Sequence, residues 1–332
     1  MSDRRTNLGL LVALVVATAT GVAAFGLGGS SGRPVVVAHG LAGLAVLVLV
    51  PWKQRIARRG LRRRGGTRWV GVGLAVVVVL AVATGVLHAA GGRPPGGVTA
   101  MQAHVGAALA AVPLVVWHVV VRPVRARRAD LGRRSLMHAG LVAVGAAALW
   151  RAADGLYVLG DRPARRFTGS HERGTDDPER MPVTQWLLDE VPVVDDARWV
   201  LDLTQGGVER RLTLDAVRAF GEVDRRAVLD CTGGWFAAQT WTGVPLSALV
   251  DVRSGRRIVV TSATGYARAF PLAAAADLLL AVAVAGAPLS RGHRAPARLV
   301  APGRRGFWWV KWVAAIAVDD VAPWRQPPFP LQ

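Results

Sequence analysis

The sequence predicts a membrane all-α bundle of about five transmembrane helices followed by an α+β, β-rich globular domain. Three observations predict this. Hydrophobic residues make up 52% of the 332 residues and the mean hydropathy is +0.33, high for a water-soluble chain, and the excess lies almost wholly in the first half. That half contains five long apolar runs separated by short loops, which is the signature of helices in lipid. The second half recovers charged residues, Pro and Gly, with short runs of strand-forming residues between them, which is the signature of a sheet-bearing domain. The chain divides accordingly into 1–154 and 155–332.

A run of about 20 apolar residues crosses a hydrocarbon core of about 30 Å. Five runs meet that length, at 8–28, 34–51, 69–90, 101–121 and 136–153, and their Ala, Val, Leu and Gly content permits close packing between helices. The formal charge is +19, yet its placement excludes a nucleic-acid face. Lys53, Arg55, Arg58, Arg59, Arg62, Arg63, Arg64 and Arg68 fill one loop, and Arg122, Arg125, Arg127, Arg128, Arg133 and Arg134 fill another against the single acid Asp130. Short basic loops between apolar runs follow the positive-inside rule and suit anionic lipid heads, whereas nucleic-acid binding needs basic residues on a folded surface. The rule places Arg4, Arg5 and both basic loops in the cytoplasm. The loops at 29–33 and 91–100, with one Arg each, lie outside. Five crossings then put residue 155 onward in the extracytoplasmic space. Arg133-Arg134-Ser135-Leu136-Met137, ahead of an Ala-rich run, resembles an internal twin-arginine export signal; ordinary positive-inside charge explains it equally.

Ionisable side chains at membrane depth are costly and raise a functional hypothesis. His39, His88, His104 and His118 lie in or near the spans, and His138 sits at the inner start of the fifth. His104 and His118 are 14 residues apart in one helix. That is nearly four turns, so both face one way, roughly 21 Å apart along the axis. His39 stands level with His104 on the parallel second helix, and the position level with His118 is Lys53. The pattern points to one outer b-type haem between His39 and His104, with His88 a competing ligand. A second haem at His118 needs an unusual partner such as His138. Interfacial histidines bonded to neighbouring helices remain the alternative. No CxxCH occurs, which excludes covalent c-type attachment.

In the second half, Trp199–Leu203, Ala227–Leu229, Arg257–Ser262, Arg298–Val300 and Trp308–Val318 read as strands, and Leu214–Phe220, Leu246–Val250 and Ala273–Leu280 as short helices. No regular βαβ alternation is visible. Cys231 is the only cysteine, which excludes an internal disulfide and any CxxC motif. It stands in Leu229-Asp230-Cys231-Thr232-Gly233-Gly234-Trp235, between a strand and a glycine turn that lets backbone approach something bulky. Gly303-Arg304-Arg305-Gly306 is a basic, glycine-flanked loop suited to an anionic phosphate. Lys311, amid Phe307, Trp308, Trp309 and Trp312, is either snorkelling or paired.

These pieces, taken in order, resemble the molybdopterin-binding domain of the sulfite oxidase family. They are Phe167-Thr168-Gly169-Ser170, Met181-Pro182-Val183-Thr184-Gln185-Trp186-Leu187, Cys231 through Trp235, Trp241 through Leu246, Thr264-Gly265-Tyr266 before Phe270-Pro271-Leu272, and His293 through Gly303 to Val310-Lys311-Trp312. The resemblance covers nearly all of the second half. It implies that Cys231 gives its thiolate to molybdenum, that Thr232 and Gly233 offer backbone beside the metal, and that His293, Arg298 and Lys311 hold the pterin and its phosphate, with Arg304 and Arg305 adding phosphate contacts. Tyr266 and Arg268 are candidate substrate contacts. Two departures stand out: the family's His-Gly reads His293-Arg294 here, and the Asn of some membrane-bound members is absent before Met181.

The function this implies is a membrane-anchored molybdenum-molybdopterin oxidoreductase. It would transfer an oxygen atom to or from a small S- or N-containing substrate, with reduction of an S- or N-oxide favoured over sulfite oxidation. A quinone or another electron carrier would exchange electrons through the helices. The arrangement resembles bacterial methionine sulfoxide reductases, with both subunits in one chain. The alternatives are a non-catalytic extracytoplasmic binding or assembly module with the same fold, and an enzyme whose helices are a plain anchor.

Overall fold

The computed structural model describes residues 2–61, 68–91, 98–160, 162–184, 191–293 and 295–327. Arg62, Arg63 and Arg64 of the first basic loop, Gln185, Trp186 and Leu187, and Arg294 lie outside the described residues. The chain forms two compact units, one of residues up to Phe25 with Ser30–His171 and the other of Gly26–Gly29 with Glu172 onward.

The first unit is helical: α1 (Asp3–Gly26), α2 (Arg33–Leu61), α3 (Arg68–Ala89), α4 (Ala100–Val121) and α5 (Arg133–Leu159). All five are long and apolar enough to cross a membrane. Large apolar side chains point outward along them, among them Val12 at 61%, Leu109 at 60% and Leu141 at 62% exposure, a surface that water would not tolerate but lipid does. The α4 start is fixed by a capping box: Thr99 Oγ1 accepts from Gln102 N–H at 3.1 Å and Gln102 Oε1 accepts from Thr99 N–H at 2.8 Å. α3 packs on α4, and α2 on α5. Small residues make this contact close, as in membrane helices generally. A Cβ on Gly40 would come within 1.9 Å of the Trp150 ring, and one on Gly145 within 3.2 Å of Val48.

Among the described residues the second unit has eleven strands named in order: β1 (His171–Glu172, whose second residue begins the unit), β2 (Val200–Gln205), β3 (Val208–Thr213), β4 (Val223–Asp230), β5 (Trp235–Pro245), β6 (Arg257–Ser262), β7 (Ala267–Pro271), β8 (Leu279–Val284), β9 (Ala287–Pro288), β10 (Arg298–Val300) and β11 (Val313–Asp319). Two short helices, α6 (Leu214–Arg218) and α7 (Leu246–Leu249), join them. One sheet runs β1-β5-β8-β10, with β4 also on β5 and β9 on β8; the other runs β3-β2-β11-β6-β7. In the second sheet β11 lies parallel to β2 and antiparallel to β6. A single apolar core joins both sheets, with Trp241, Trp309, Phe270, Leu201, Leu203, Ile258, Leu279 and Leu299 fully buried. The unit is therefore an α+β, β-rich domain, as the sequence predicts.

Two local expectations are corrected. Ala273–Leu280 is not a helix: a 3-10 turn covers Leu272–Ala274 and the apolar run continues as β8. Five of the six β8 residues are buried, so both faces are apolar and the strand lacks the alternation that separates strand from helix. Trp308–Val318 is not one strand either. Gly306–Trp308 is a 3-10 turn, and Trp312 takes φ +46°, which breaks the extended backbone before β11 begins at Val313.

Candidate functional site

β4 delivers Cys231. It is antiparallel to β5, with Asp230 opposite Phe236, and the residues between form a tight turn. Cys231 N–H donates to Trp235 O at 2.8 Å and Gly234 N–H to Cys231 O at 3.0 Å. Gly234 has φ +93°, a conformation that suits glycine. The turn presents the half-buried sulfur, which accepts from Gly233 N–H at 3.3 Å. A Cβ on Gly233 would crowd the Thr184 methyl at 3.0 Å and sit 3.5 Å from Cys231 Sγ, so glycine keeps that approach open.

The segment Met181–Thr184 gathers the other groups. Lys311 Nζ donates to Thr184 O at 2.8 Å, and Trp235 Nε1 to Thr184 Oγ1 at 2.8 Å. His293 Nε2 lies 3.4 Å from Met181 O. A carbonyl only accepts, so that contact makes Nε2 the protonated nitrogen and Nδ1 the acceptor of the Ser290 hydroxyl at 2.9 Å. Lys311 and His293 thus bond to one short stretch of backbone, and Gly233, beside the cysteine sulfur, packs against its Thr184. Arg298 enters from β10, where Leu299 N–H donates to Val310 O at 2.7 Å, beside Lys311. Its guanidinium is buried over Trp241 at 4.9 Å and Trp309 at 5.6 Å, desolvated aromatic faces that hold a cation well.

Arg304 and Arg305 face different surroundings. Arg305 is bound under the cysteine: Nη2 donates to Cys231 O at 3.2 Å, and Nε stands 3.5 Å from Asp230 Oδ1. Its Nη2 is satisfied by the Cys231 carbonyl, while Nε faces Asp230 as an ion pair without a hydrogen bond. Arg304 lies over Trp308 at 4.8 Å and Phe270 at 5.7 Å, and burial pulls its pKa below the usual arginine value. Gly306, next in the loop, packs against the cysteine backbone: its Cβ would lie 3.0 Å from Cys231 Cα and 3.5 Å from Thr232 N. Tyr266 and Arg268 form a structural pair. Arg268 Nε donates to Tyr266 Oη at 2.8 Å and its Nη1 to Pro327 O at 2.8 Å, while the Tyr266 hydroxyl donates to Phe307 O at 2.5 Å. Burial, the largest influence, raises the Tyr266 pKa, with Arg268 opposing it. Sequence reasoning gave Thr184 and Asp230 no role of their own, and Gly306 only that of flanking the basic loop.

In the helical unit, the His39 and His104 rings stand 5.8 Å apart at 83°. His39 Nδ1 donates to Ala17 O at 2.8 Å and His104 Nδ1 to Ala81 O at 2.7 Å. Both Nδ1 atoms therefore carry the proton, and Nε2 carries the lone pair that a metal requires. Glycines face the rings: a Cβ on Gly21 would meet His39 at 3.0 Å and one on Gly85 would meet His104 at 2.9 Å. His88 is near a different partner, His171, with ring centroids 5.7 Å apart, and its backbone oxygen accepts from His171 Nε2 at 2.9 Å. His171 Nδ1 meets the Tyr157 hydroxyl at 3.0 Å. Burial, the largest influence, lowers the His171 pKa, and Arg165 and Arg162 lower it further against the His88 bond. His118 lines a shallow recess with Val70, Trp117, Val121 and Arg122. His138 Nδ1 meets Arg134 O at 2.6 Å; no ring contact joins it to His118 among the described residues.

A thiol, a lysine, a histidine and a buried arginine are residue types whose chemistry suits a soft metal and an anionic organic group. The comparisons name the family. Residues 188–325 match the family described as "Oxidoreductase molybdopterin binding domain". Mitochondrial sulfite oxidase of Drosophila melanogaster is 27% identical over 164 residues, 39% of this chain and 29% of that protein. Gallus gallus sulfite oxidase is 47% identical over 64 residues, 18% of this chain and 14% of that protein. The structure of the sulfane dehydrogenase SoxCD from Paracoccus pantotrophus aligns at TM-score 0.37 with 25% identity, over 40% of this chain and 41% of that one. The chain spans less than a third of the length of the sulfite oxidases it matches. Residues 188–325 thus match a molybdopterin-binding oxidoreductase domain, and this part of the chain is similar to sulfite oxidases.

Proposed function

We propose that this chain is a membrane-anchored molybdopterin oxidoreductase that moves an oxygen atom to or from a small sulfur- or nitrogen-containing substrate. The observation that carries the reading is the meeting of Lys311 and His293 with Met181–Thr184, against which Gly233, bonded to the Cys231 sulfur, also packs. When bound, the molybdenum of this cofactor supplies oxygen-atom transfer coupled to a two-electron change. Cys231 would hold the metal as thiolate, and the Gly233 N–H at its sulfur stabilises that negative charge. Thr232 and Gly233 would line the metal with backbone alone. Lys311 would give the phosphate a point charge and Arg298 a forked one, with His293 at the pterin. Arg304 would be an outer phosphate contact, and Arg305 would act through Cys231 instead.

The helical part, 1–154, would sit in the bilayer with its N-terminus in the cytoplasm, and 155–332 would work outside the cytoplasm. The support is the grouping of basic residues in 52–68 and 122–134. One b-type haem between His39 and His104 would exchange electrons with a quinone or another carrier. The fixed Nδ1–H tautomers support this pair over His88 and over a second haem at His118. Assays of S-oxide reduction, N-oxide reduction and sulfite oxidation by the full chain test the reading. Turnover of one such substrate that disappears in Cys231→Ser is expected. Turnover equal in the variant defeats it.

A further inference from the structure

Two opposite charges lie buried directly beneath Cys231. Asp230 is 1% and Arg305 4% exposed, with Arg305 Nε 3.5 Å from Asp230 Oδ1. Removing both charges from water costs more than such pairing commonly returns, so a buried pair is weak evidence for stability and calls for another role. The second arm of the guanidinium supplies one. Arg305 Nη2 donates to Cys231 O at 3.2 Å, the same carbonyl that takes Gly234 N–H at 3.0 Å. Residues 230 and 305 also form an isolated parallel bridge. The Gly306 backbone then lies so close that a Cβ would stand 3.0 Å from Cys231 Cα. The peptide of Cys231 is therefore gripped by the 303–306 loop on one side and by the Gly233–Gly234 turn on the other.

We propose that Asp230 and Arg305 form a positioning clamp that fixes the backbone of Cys231, and through it the direction of the sulfur, without touching the cofactor. The proposal rests on the molybdopterin reading above. The two charges offset each other, so the pair contributes orientation rather than net charge beside the thiolate. Asp230 attracts the guanidinium as its ion partner, and the guanidinium donates to the carbonyl. Supporting groups of this kind commonly matter to metal affinity almost as much as the ligands themselves.

The test uses the full chain, purified from a host that makes the cofactor, with the variants Arg305→Met, Asp230→Leu, their double, and Arg305→Lys. Each single apolar variant removes one member of a buried ion pair and is expected to melt lower. The double removes both charges and is expected to recover the melting temperature while losing about tenfold or more in molybdenum affinity. A second readout needs no metal. Cys231 is the sole thiol, so its alkylation rate in cofactor-free protein reports its placement; a several-fold rise is expected in the double variant. A purely structural ion pair predicts the reverse, with wild-type molybdenum content and alkylation once the double variant is stable. That result overturns the clamp. Should the double variant fail to fold, Arg305→Lys decides. It keeps the charge beside Asp230 but lacks the fork to reach Cys231 O as well, so wild-type molybdenum and alkylation in that variant overturn the clamp. If the wild-type chain carries no molybdenum, the molybdopterin reading fails, while unchanged alkylation still refutes the clamp separately.

Discussion

Replacing Gly243 by Ala tests how closely the sheet of β5 and β8 is built. Gly243 lies in β5 at the irregularity between Thr242 and Gly243 in the pairing with β8. An added Cβ would stand 2.2 Å from Leu280 O, 2.5 Å from Ala281 Cα and 2.7 Å from Leu280 C. All three are backbone atoms of a buried strand, so no rotamer change relieves the clash and the strands must part. Overpacking costs about 1–3 kcal/mol and sometimes more, and backbone contacts this short belong at the upper end. Loss of unfolded-chain entropy offsets about 0.4–1 kcal/mol, leaving a net loss of about 2–3 kcal/mol. At about 2–4 °C per kcal/mol for a unit of this size, melting should fall by roughly 4–12 °C. The assay is thermal unfolding of the detergent-solubilised full chain followed by near-ultraviolet circular dichroism, to which the buried pair Trp241 and Trp309 contributes. Because Arg298 stacks on Trp241, molybdenum content should fall too. An unchanged melting temperature would refute the β5–β8 register from which the site is argued.

Other outcomes follow from the same geometry. His39→Ala and His104→Ala should each abolish the Soret band of haem-replete protein, while His118→Ala should keep it; a full Soret band in His104→Ala removes the haem assignment. Lys311→Met strands Thr184 O, which accepts from Nζ at 2.8 Å. It should cost about 1.5–3 kcal/mol, the scale of a charged hydrogen bond, and reduce molybdenum content; normal content by elemental analysis counts against Lys311 as a cofactor group. The Arg257 guanidinium, bonded to Asp319 at 2.7 and 2.9 Å, holds that carboxyl below the usual carboxylate range, the hydrogen bond being the largest cause. The native state therefore prefers the ionised form. The pair's stabilisation is complete above the unfolded-state pKa and is lost as pH falls through the depressed folded value. Arg257→Met should lower the melting temperature at neutral pH, and the gap should close in strong acid; a gap that persists there contradicts the pairing.

Much of the fold was legible because the strongest signals are local. Five apolar runs gave five helices, although α2 continues through Lys53 and Arg55 to Leu61 and α5 begins at Arg133. Arginine and lysine are good helix formers, so a helix need not stop where its hydrophobicity does. Strands at Arg257–Ser262 and Arg298–Val300 have the bounds read from sequence. β8 was illegible because a strand buried on both faces has no period. The long-range part of the site was illegible for another reason. Lys311 meets Thr184 across 127 residues, and Arg305 meets Cys231 across 74, contacts that only the folded sheets create. Asp230 carries no distinguishing signal in the sequence, because the guanidinium beside it arrives only through the fold.

Elemental analysis bears most directly on the central claim. Full-length chain, purified in detergent from a host with an intact molybdopterin supply, should contain close to one molybdenum per polypeptide, and Cys231→Ser prepared in parallel should contain almost none. Wild-type protein free of molybdenum, or a serine variant that holds as much as wild type, contradicts the account.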